Sequence, residues 1–92
     1  SAFYGTDLDL LLRSNGIEAV AITGADTTGA VYITARDSVF YNYYTVIVND
    51  CVFSPWGAEI QRAGLLNLGF LTESVPSDGI LRSWSLTRGL IR

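Results

Sequence analysis

Short, continuously apolar segments alternate along this chain with longer segments of helical spacing, and this alternation restricts the folds it can adopt. The segments IEAVAITG (17–24) and YTVIVND (44–50) have the length and composition of strands buried in a parallel sheet. A weaker third candidate is FLTESV (70–75). Because helical patterns separate the strands, β-α-β crossovers must join them. The sequence therefore predicts an α/β fold in which a parallel sheet lies between helices, a three-layer α/β/α arrangement of the Rossmann-like kind.

Local signals mark where the first two helices begin and end. Thr6 is placed to cap a helix that Gly16 terminates. Thr27 or Thr28 can cap a second helix, which should run to about Phe40.

Similar signals mark two further helices. Pro55 lies near the first turn of the third helix, and Gly69 is expected just beyond its end. Residues 76–78 open the last helix. The two tryptophans, Trp56 and Trp84, are expected to be core or interface anchors.

The size and apolar content of the chain suggest that its sheet is incomplete. Ninety-two residues with 49% hydrophobic and 16% charged side chains make one domain or part of a larger one. Three strands form a thin sheet, and a parallel sheet needs cover on both faces. The chain also contains no methionine. We therefore expect residues 1–92 to be part of a single domain, covered by the remainder of that domain or by a homo-oligomer partner.

Charge and residue usage exclude several functions. The net charge is −3, and the six cations are all scattered arginines, so nucleic-acid binding has no support. No apolar run approaches the ~20 residues of a membrane span. A single cysteine and no histidine exclude an internal disulfide and make a metal site improbable. We expect no metal, no cofactor and a reducing, cytoplasmic setting.

The stretch TGADTTGA (23–30) should form the bend between the first strand and the second helix. Ligands bind beyond the carboxyl ends of parallel strands, and the unpaired N–H groups of a helix start favour an anion, a thiolate or a developing oxyanion. The position where a reactive side chain would stand holds Ala30. The alternative is an ordinary capped strand–helix junction.

Three other polar residues invite a functional and a structural interpretation. Cys51 could be a substitute nucleophile, but a small buried hydrophobe is favoured. Asp26 could be a general base, although a position near a helix N-terminus should lower its pKa and favour a capping role. Asp50 is expected to tie down the loop after its strand.

Several motifs together resemble the isochorismatase-like cysteine hydrolases. The matching segments are SAFYGTDLDLLLRSNGIEAVAITG, DTTGAVYITARDSV and VIVNDCV, and the similarity spans roughly residues 1–81 in order and register. The resemblance implies a three-layer α/β enzyme that hydrolyses a small amide C–N bond or, in the namesake, a vinyl ether.

The resemblance also implies roles for individual positions. The family uses an Asp, a Lys and a nucleophilic Cys, and the cysteine corresponds to Ala30. A cis peptide would join Ala25 to Asp26, and the oxyanion loop would comprise Ala25, Asp26, Gly29 and Ala30. Thr27 matches a family threonine. Thr27, Phe3 and Tyr4 are candidates to line the substrate pocket, although the latter two could equally be core residues.

Two departures from the family pattern leave the function open. A methyl group at Ala30 cannot attack a carbonyl, and the family's Asp and Lys belong before residue 1, while this chain has no lysine. Ala30 could be an engineered Cys→Ala change or natural decay of the site. The first hypothesis is the C-terminal part of an amidohydrolase domain, inactive as given. The alternative is a catalytically dead subunit that serves in oligomerisation or ligand binding.

Overall fold

The computed structural model describes residues 1–91, with side chains described through Trp84. Within these residues, helices and strands alternate as the sequence predicts. The elements are α1 Leu8–Ser14, β1 Ala19–Ala25, α2 Ala30–Phe40, β2 Tyr44–Phe53, α3 Ala58–Leu71, β3 Glu73–Val75 and α4 Ser77–Ile91. None of the helices in this described range is long and apolar enough to cross a membrane.

The three strands form one parallel sheet with helices on both faces. The strand order is β1-β2-β3, and both strand pairs are parallel. On β2, Ile47 packs into the core cluster with residues of α2 and α3. Its neighbour Val46 lines a groove together with residues of α4. Because successive strand residues point to opposite faces, α4 lies on the face away from α2 and α3. The predicted α/β/α layering is confirmed.

The core lies between β2 and the two helices on that face. Its members, each buried, come from α2, β2 and α3: Val31, Ala35, Ile47, Val52 and Leu68. Ile47 and Leu68 are fully inaccessible to solvent. Removing such a side chain from water contributes about 1.5–3 kcal/mol to the stability of the fold.

The outer edge of β1 is exposed, and a groove separates the opposite face of the sheet from α4. Within residues 1–91, β1 pairs with β2 alone, and five of its seven residues are exposed. An apolar groove of about 660 Å³ runs between the sheet and α4. Ala19, Val46, Ile80 and Trp84 are among its walls. That further polypeptide covers this surface remains a prediction.

The helix boundaries differ from the predicted ones where side chains have tertiary partners. α2 starts at Ala30 after Gly29, and neither threonine caps it. Thr27 is buried and donates its hydroxyl to Gln61, and Thr28 donates to Asp26.

Three predicted helix boundaries are confirmed: Gly16 follows the end of α1, α2 ends at Phe40, and α4 begins at Ser77. Other boundaries differ. α1 starts at Leu8 after Asp7, so Thr6 is not the N-cap residue, but its hydroxyl accepts the Leu8 amide at 3.3 Å and donates to the carbonyls of Ala2 and Phe3. Gly69 lies inside α3, which continues to Leu71 because the helical hydrogen bonding persists past the glycine, so β3 begins only at Glu73. Placing Gly69 beyond the helix end was wrong.

β2 is longer than predicted and has an irregular register. Between the pairs Ile22–Ile47 and Gly24–Val52, β1 advances two residues while β2 advances five. The extra residues include Cys51, which is exposed, so the prediction of a small buried hydrophobe there was wrong.

Asp50 and the two tryptophans also differ from expectation. The Asp50 carboxylate accepts hydrogen bonds from the backbone N–H and the hydroxyl of Ser77, at 2.9 and 2.7 Å. It therefore fixes the start of α4, and not the loop after its own strand. Trp56 and Trp84 are 69% and 62% exposed, so neither is a core residue.

Candidate active site

The bend between β1 and α2 opens onto a cleft. Gly24 has a φ of +113°, which suits glycine, and the peptide bond between Ala25 and Asp26 is cis, as the resemblance implied. The cleft has a volume of about 340 Å³. Its walls come from the N-terminal segment, β1 and α2: Ala2, Ala21, Ile22, Thr23, Ala25, Ala30, Val31 and Thr34. The bend therefore borders a concave surface at the carboxyl end of a parallel strand.

Most backbone N–H groups of the bend already have partners inside the protein. The carbonyl of Asp26 accepts from the amides of Gly29 and Val31, each at 3.0 Å. The amide of Thr28 donates to the Asp26 carboxylate at 3.1 Å, and that of Thr27 donates to the carbonyl of Phe53 at 2.9 Å.

Two amides remain available for a ligand. Within the described part of the chain, the N–H groups of Asp26 and Ala30 donate to no protein acceptor. They belong to the residue after the cis bond and to the first residue of α2. Two unpaired amides at a helix start are the groups that can stabilise a developing negative charge on oxygen.

Ala30 lies at the N-terminal end of α2, where the helix dipole acts on a side chain. It is the first residue of α2, and its side chain lines the cleft. The positive end of the helix dipole would lower the pKa of a thiol there and favour the thiolate. The methyl group of alanine has no such chemistry.

Asp26 acts within the bend as a hydrogen-bond acceptor. The backbone N–H of Thr28 is the main reason that the pKa of its carboxyl lies below the ordinary value of 3.8. Partial burial opposes this shift, and the indole N–H of Trp56 and the Thr28 hydroxyl add to it. A carboxylate with a lowered pKa is a weak proton acceptor, which agrees with a structural role and not with that of a general base.

Gln61, a residue of α3 that the sequence did not single out, holds Thr27 in place. The hydroxyl of Thr27, fully buried, donates to Oε1 of Gln61 at 2.6 Å. Nε2 of Gln61 in turn donates to the carbonyl of Val52 at 3.0 Å. The available signal was spacing, because Gln61 precedes the buried Gly64 and Leu68 by three and seven residues on one helix face.

The N-terminal candidates occupy different environments. Phe3 is buried against Tyr41 and Tyr43, with ring centroids 5.3 and 5.8 Å apart. Tyr4 is 85% exposed. The residues that line the cleft include their neighbour Ala2, whose amide donates to Thr34 Oγ1 at 3.0 Å. A substrate-lining role for the two aromatic residues remains a prediction.

Cys51 lies outside the cleft lining. Partial burial of its sulfur and the adjacent Asp50 carboxylate raise the pKa of the Cys51 thiol, which disfavours the thiolate that a nucleophile needs. Among the described residues, no group of three or more His, Cys, Asp or Glu side chains is arranged to hold a metal ion.

Comparison with known proteins gives one consistent result. The family model of the isochorismatase domain matches residues 1–74. The chain is 37% identical over 68 residues to the ureidoacrylate amidohydrolase RutB of Klebsiella pneumoniae, an alignment that covers 74% of this chain and 29% of that protein.

Solved structures agree with the sequence match. An isochorismatase-like hydrolase from Alkaliphilus metalliredigens superposes with a TM-score of 0.86 at 33% identity, over 89% of this chain and 45% of that one. For N-carbamoylsarcosine amidase from Thermoplasma acidophilum the TM-score is 0.69 at 35% identity, over 85% and 44%. The chain thus spans less than half the length of each of these proteins.

Proposed function

Because this chain belongs to the isochorismatase family, we propose that it is part of a cysteine hydrolase that cleaves a small amide C–N bond. The observation that carries the proposal is the pair of unpartnered amides, Asp26 and Ala30, at the bend beside the cleft. Two of the similar proteins are an amidohydrolase and an amidase, which supports an amide as substrate.

The bend suits acyl transfer from an amide to a thiol at position 30. A thiolate there would attack the amide carbonyl, forming a C–S bond, while the carbonyl oxygen takes up negative charge between the two amides. Collapse of this intermediate breaks the C–N bond, and the amine leaves with a proton. Water then cleaves the thioester, which releases the acid and regenerates the thiol.

With Ala30 in place the first of these reaction steps cannot occur, so the chain as given is proposed to be inactive. The family's Asp and Lys, by the same resemblance, would come from polypeptide outside residues 1–92. The proposed setting is cytoplasmic, because the single thiol is exposed and has no cysteine to pair with.

The test is to restore the thiol at position 30. We expect that Ala30→Cys, made in the complete protein with Cys51→Ser to remove the other thiol, gains the mass of an acyl group when mixed with a panel of small amides. Ala21→Cys is the matched control, since it places a thiol on the same cleft but on β1, away from the helix start. Absence of any adduct in the Ala30→Cys protein across the panel would refute the proposal.

A second function is favoured by the alanine itself together with the open groove. A catalytically dead subunit would keep the fold and use the exposed β1 edge and the 660 Å³ groove for oligomerisation or for binding a small carbonyl compound. This alternative predicts an assembly that buries well over ~1,000 Å² per contact. Sedimentation of the complete protein as a strict monomer would count against it.

A further inference from the structure

The loop after β2 contacts the bend through an exposed tryptophan. The indole N–H of Trp56 donates to Oδ2 of Asp26 at 2.7 Å. The backbone amide of Trp56 donates to the Ser54 hydroxyl at 3.3 Å, which shapes the loop that presents the ring. Because 69% of the residue is exposed, packing of the ring does not account for its placement. The hydrogen bond to Asp26 does.

Asp26 is the residue on which the geometry of the bend depends. Its carbonyl accepts the amides of Gly29 and Val31, and Oδ1 accepts the amide and hydroxyl of Thr28. The second carboxylate oxygen, Oδ2, is the one that Trp56 holds. Restricting this carboxylate therefore restricts the segment that carries both unpartnered amides.

We propose that Trp56 is a positioning residue, which holds the oxyanion bend in shape by donating its indole N–H to Asp26. The inference rests on the proposed function in so far as the bend is an oxyanion site. Trp56 does not line the cleft, so its action on a substrate would be indirect. The part of Trp56 that matters is its indole N–H donor, and not the aromatic ring.

Two substitutions separate the donor from the ring. Trp56→Phe keeps an aromatic ring and removes the N–H, whereas Trp56→Gln removes the ring and keeps an N–H donor. Trp84→Phe is the matched control, because Trp84 is similarly exposed but lies on α4 beside the apolar groove. All three changes are at exposed side chains, so the fold should tolerate them.

The readouts are the pKa of the Asp26 carboxyl, followed by NMR, and the hydrogen exchange of the Thr27, Gly29 and Val31 amides. In Trp56→Phe we expect the pKa of Asp26 to rise and these amides to exchange roughly threefold to tenfold faster. Trp56→Gln should restore both quantities at least in part. Trp84→Phe should change neither. Hydrogen exchange of the backbone amides in the core of β2 serves as the internal reference.

Two results would overturn the inference. One is an unchanged Asp26 pKa and unchanged amide exchange in Trp56→Phe. The other is an Asp26 pKa and amide exchange that stay closer to wild type in Trp56→Phe than in Trp56→Gln, which would assign the effect to the ring. In the Ala30→Cys protein, acylation should also slow in Trp56→Phe and recover in Trp56→Gln. If Ala30→Cys is never acylated, the proposed function fails, while the pKa and exchange data still decide the role of Trp56.

Discussion

Replacing Gly64 by alanine should disturb the bend from the side of α3. A methyl group at Gly64 would lie 2.8 Å from Cγ2 of Thr28, closer than real contacts allow, and 3.0 Å from Cγ2 of Thr27, tighter than most real contacts. Thr27 cannot yield easily, because it is fully buried and its hydroxyl is bonded to Gln61. Thr28 could rotate, but only by giving up its hydroxyl contact with Asp26. Overpacking of this kind costs about 1–3 kcal/mol.

The same helix provides the control. Gly69 also lies in α3, and a methyl group there would meet nothing within 4 Å. Both substitutions gain helix propensity, by about 0.5–1 kcal/mol, so this term nearly cancels between them. Gly64→Ala should therefore be less stable than Gly69→Ala by about 1–3 kcal/mol in urea denaturation, with NMR shifts concentrated at residues 26–29. Equal stability of the two variants would refute the reasoning.

Two further predictions concern the core and the start of α4. Leu68→Ala should lower the free energy of unfolding by about 2–5 kcal/mol because Leu68 is fully buried, whereas Leu66→Ala at a 66% exposed site should change it little; urea denaturation distinguishes them. Ser77→Ala removes the main cause of the lowered pKa of Asp50, whose ordinary value is 3.8. A lowered pKa stabilises the fold above the ordinary value, and the effect disappears as pH falls through the folded-state pKa. Melting temperatures of wild type and Ser77→Ala should therefore differ at pH 7 and converge as the pH falls below the folded-state pKa of Asp50. A constant difference would contradict this assignment.

The position of the bend and the placement of Ala30 beside it could be predicted from the sequence. An apolar strand, a turn with two glycines and a helix start follow one another within residues 17–40, and these are local patterns. They placed Ala30 at the start of α2, and the family motif put a cis bond between Ala25 and Asp26. The lowered direction of the Asp26 pKa was also predicted, but its main cause is the Thr28 amide, and the predicted capping role was wrong because Gly29 is the N-cap residue of α2.

Some helix boundaries and several burial states could not be predicted, because non-local partners decide them. Threonine is a residue type that often caps helices, yet the hydroxyls of Thr27 and Thr28 are bonded to Gln61 and Asp26. Cys51 follows an apolar strand, but the irregular register between β1 and β2 leaves it exposed. Gly64 and Gly69 look alike in sequence, and only one of them faces the bend.

The sequence by itself determined the family, the alternation of helices and strands, and the absence of a thiol at position 30, since each is a property of residue identity or short spacing. Only the tertiary structure decided which amides of the bend stay free. The amides of Thr28, Gly29 and Val31 bond locally to Asp26, whereas the amide of Thr27 bonds to Phe53 and the Asp26 carboxylate is itself held by Trp56. The last two contacts join residues 26 and 30 positions apart, and they depend on how β2 and its loop pack beside β1, which no local pattern encodes.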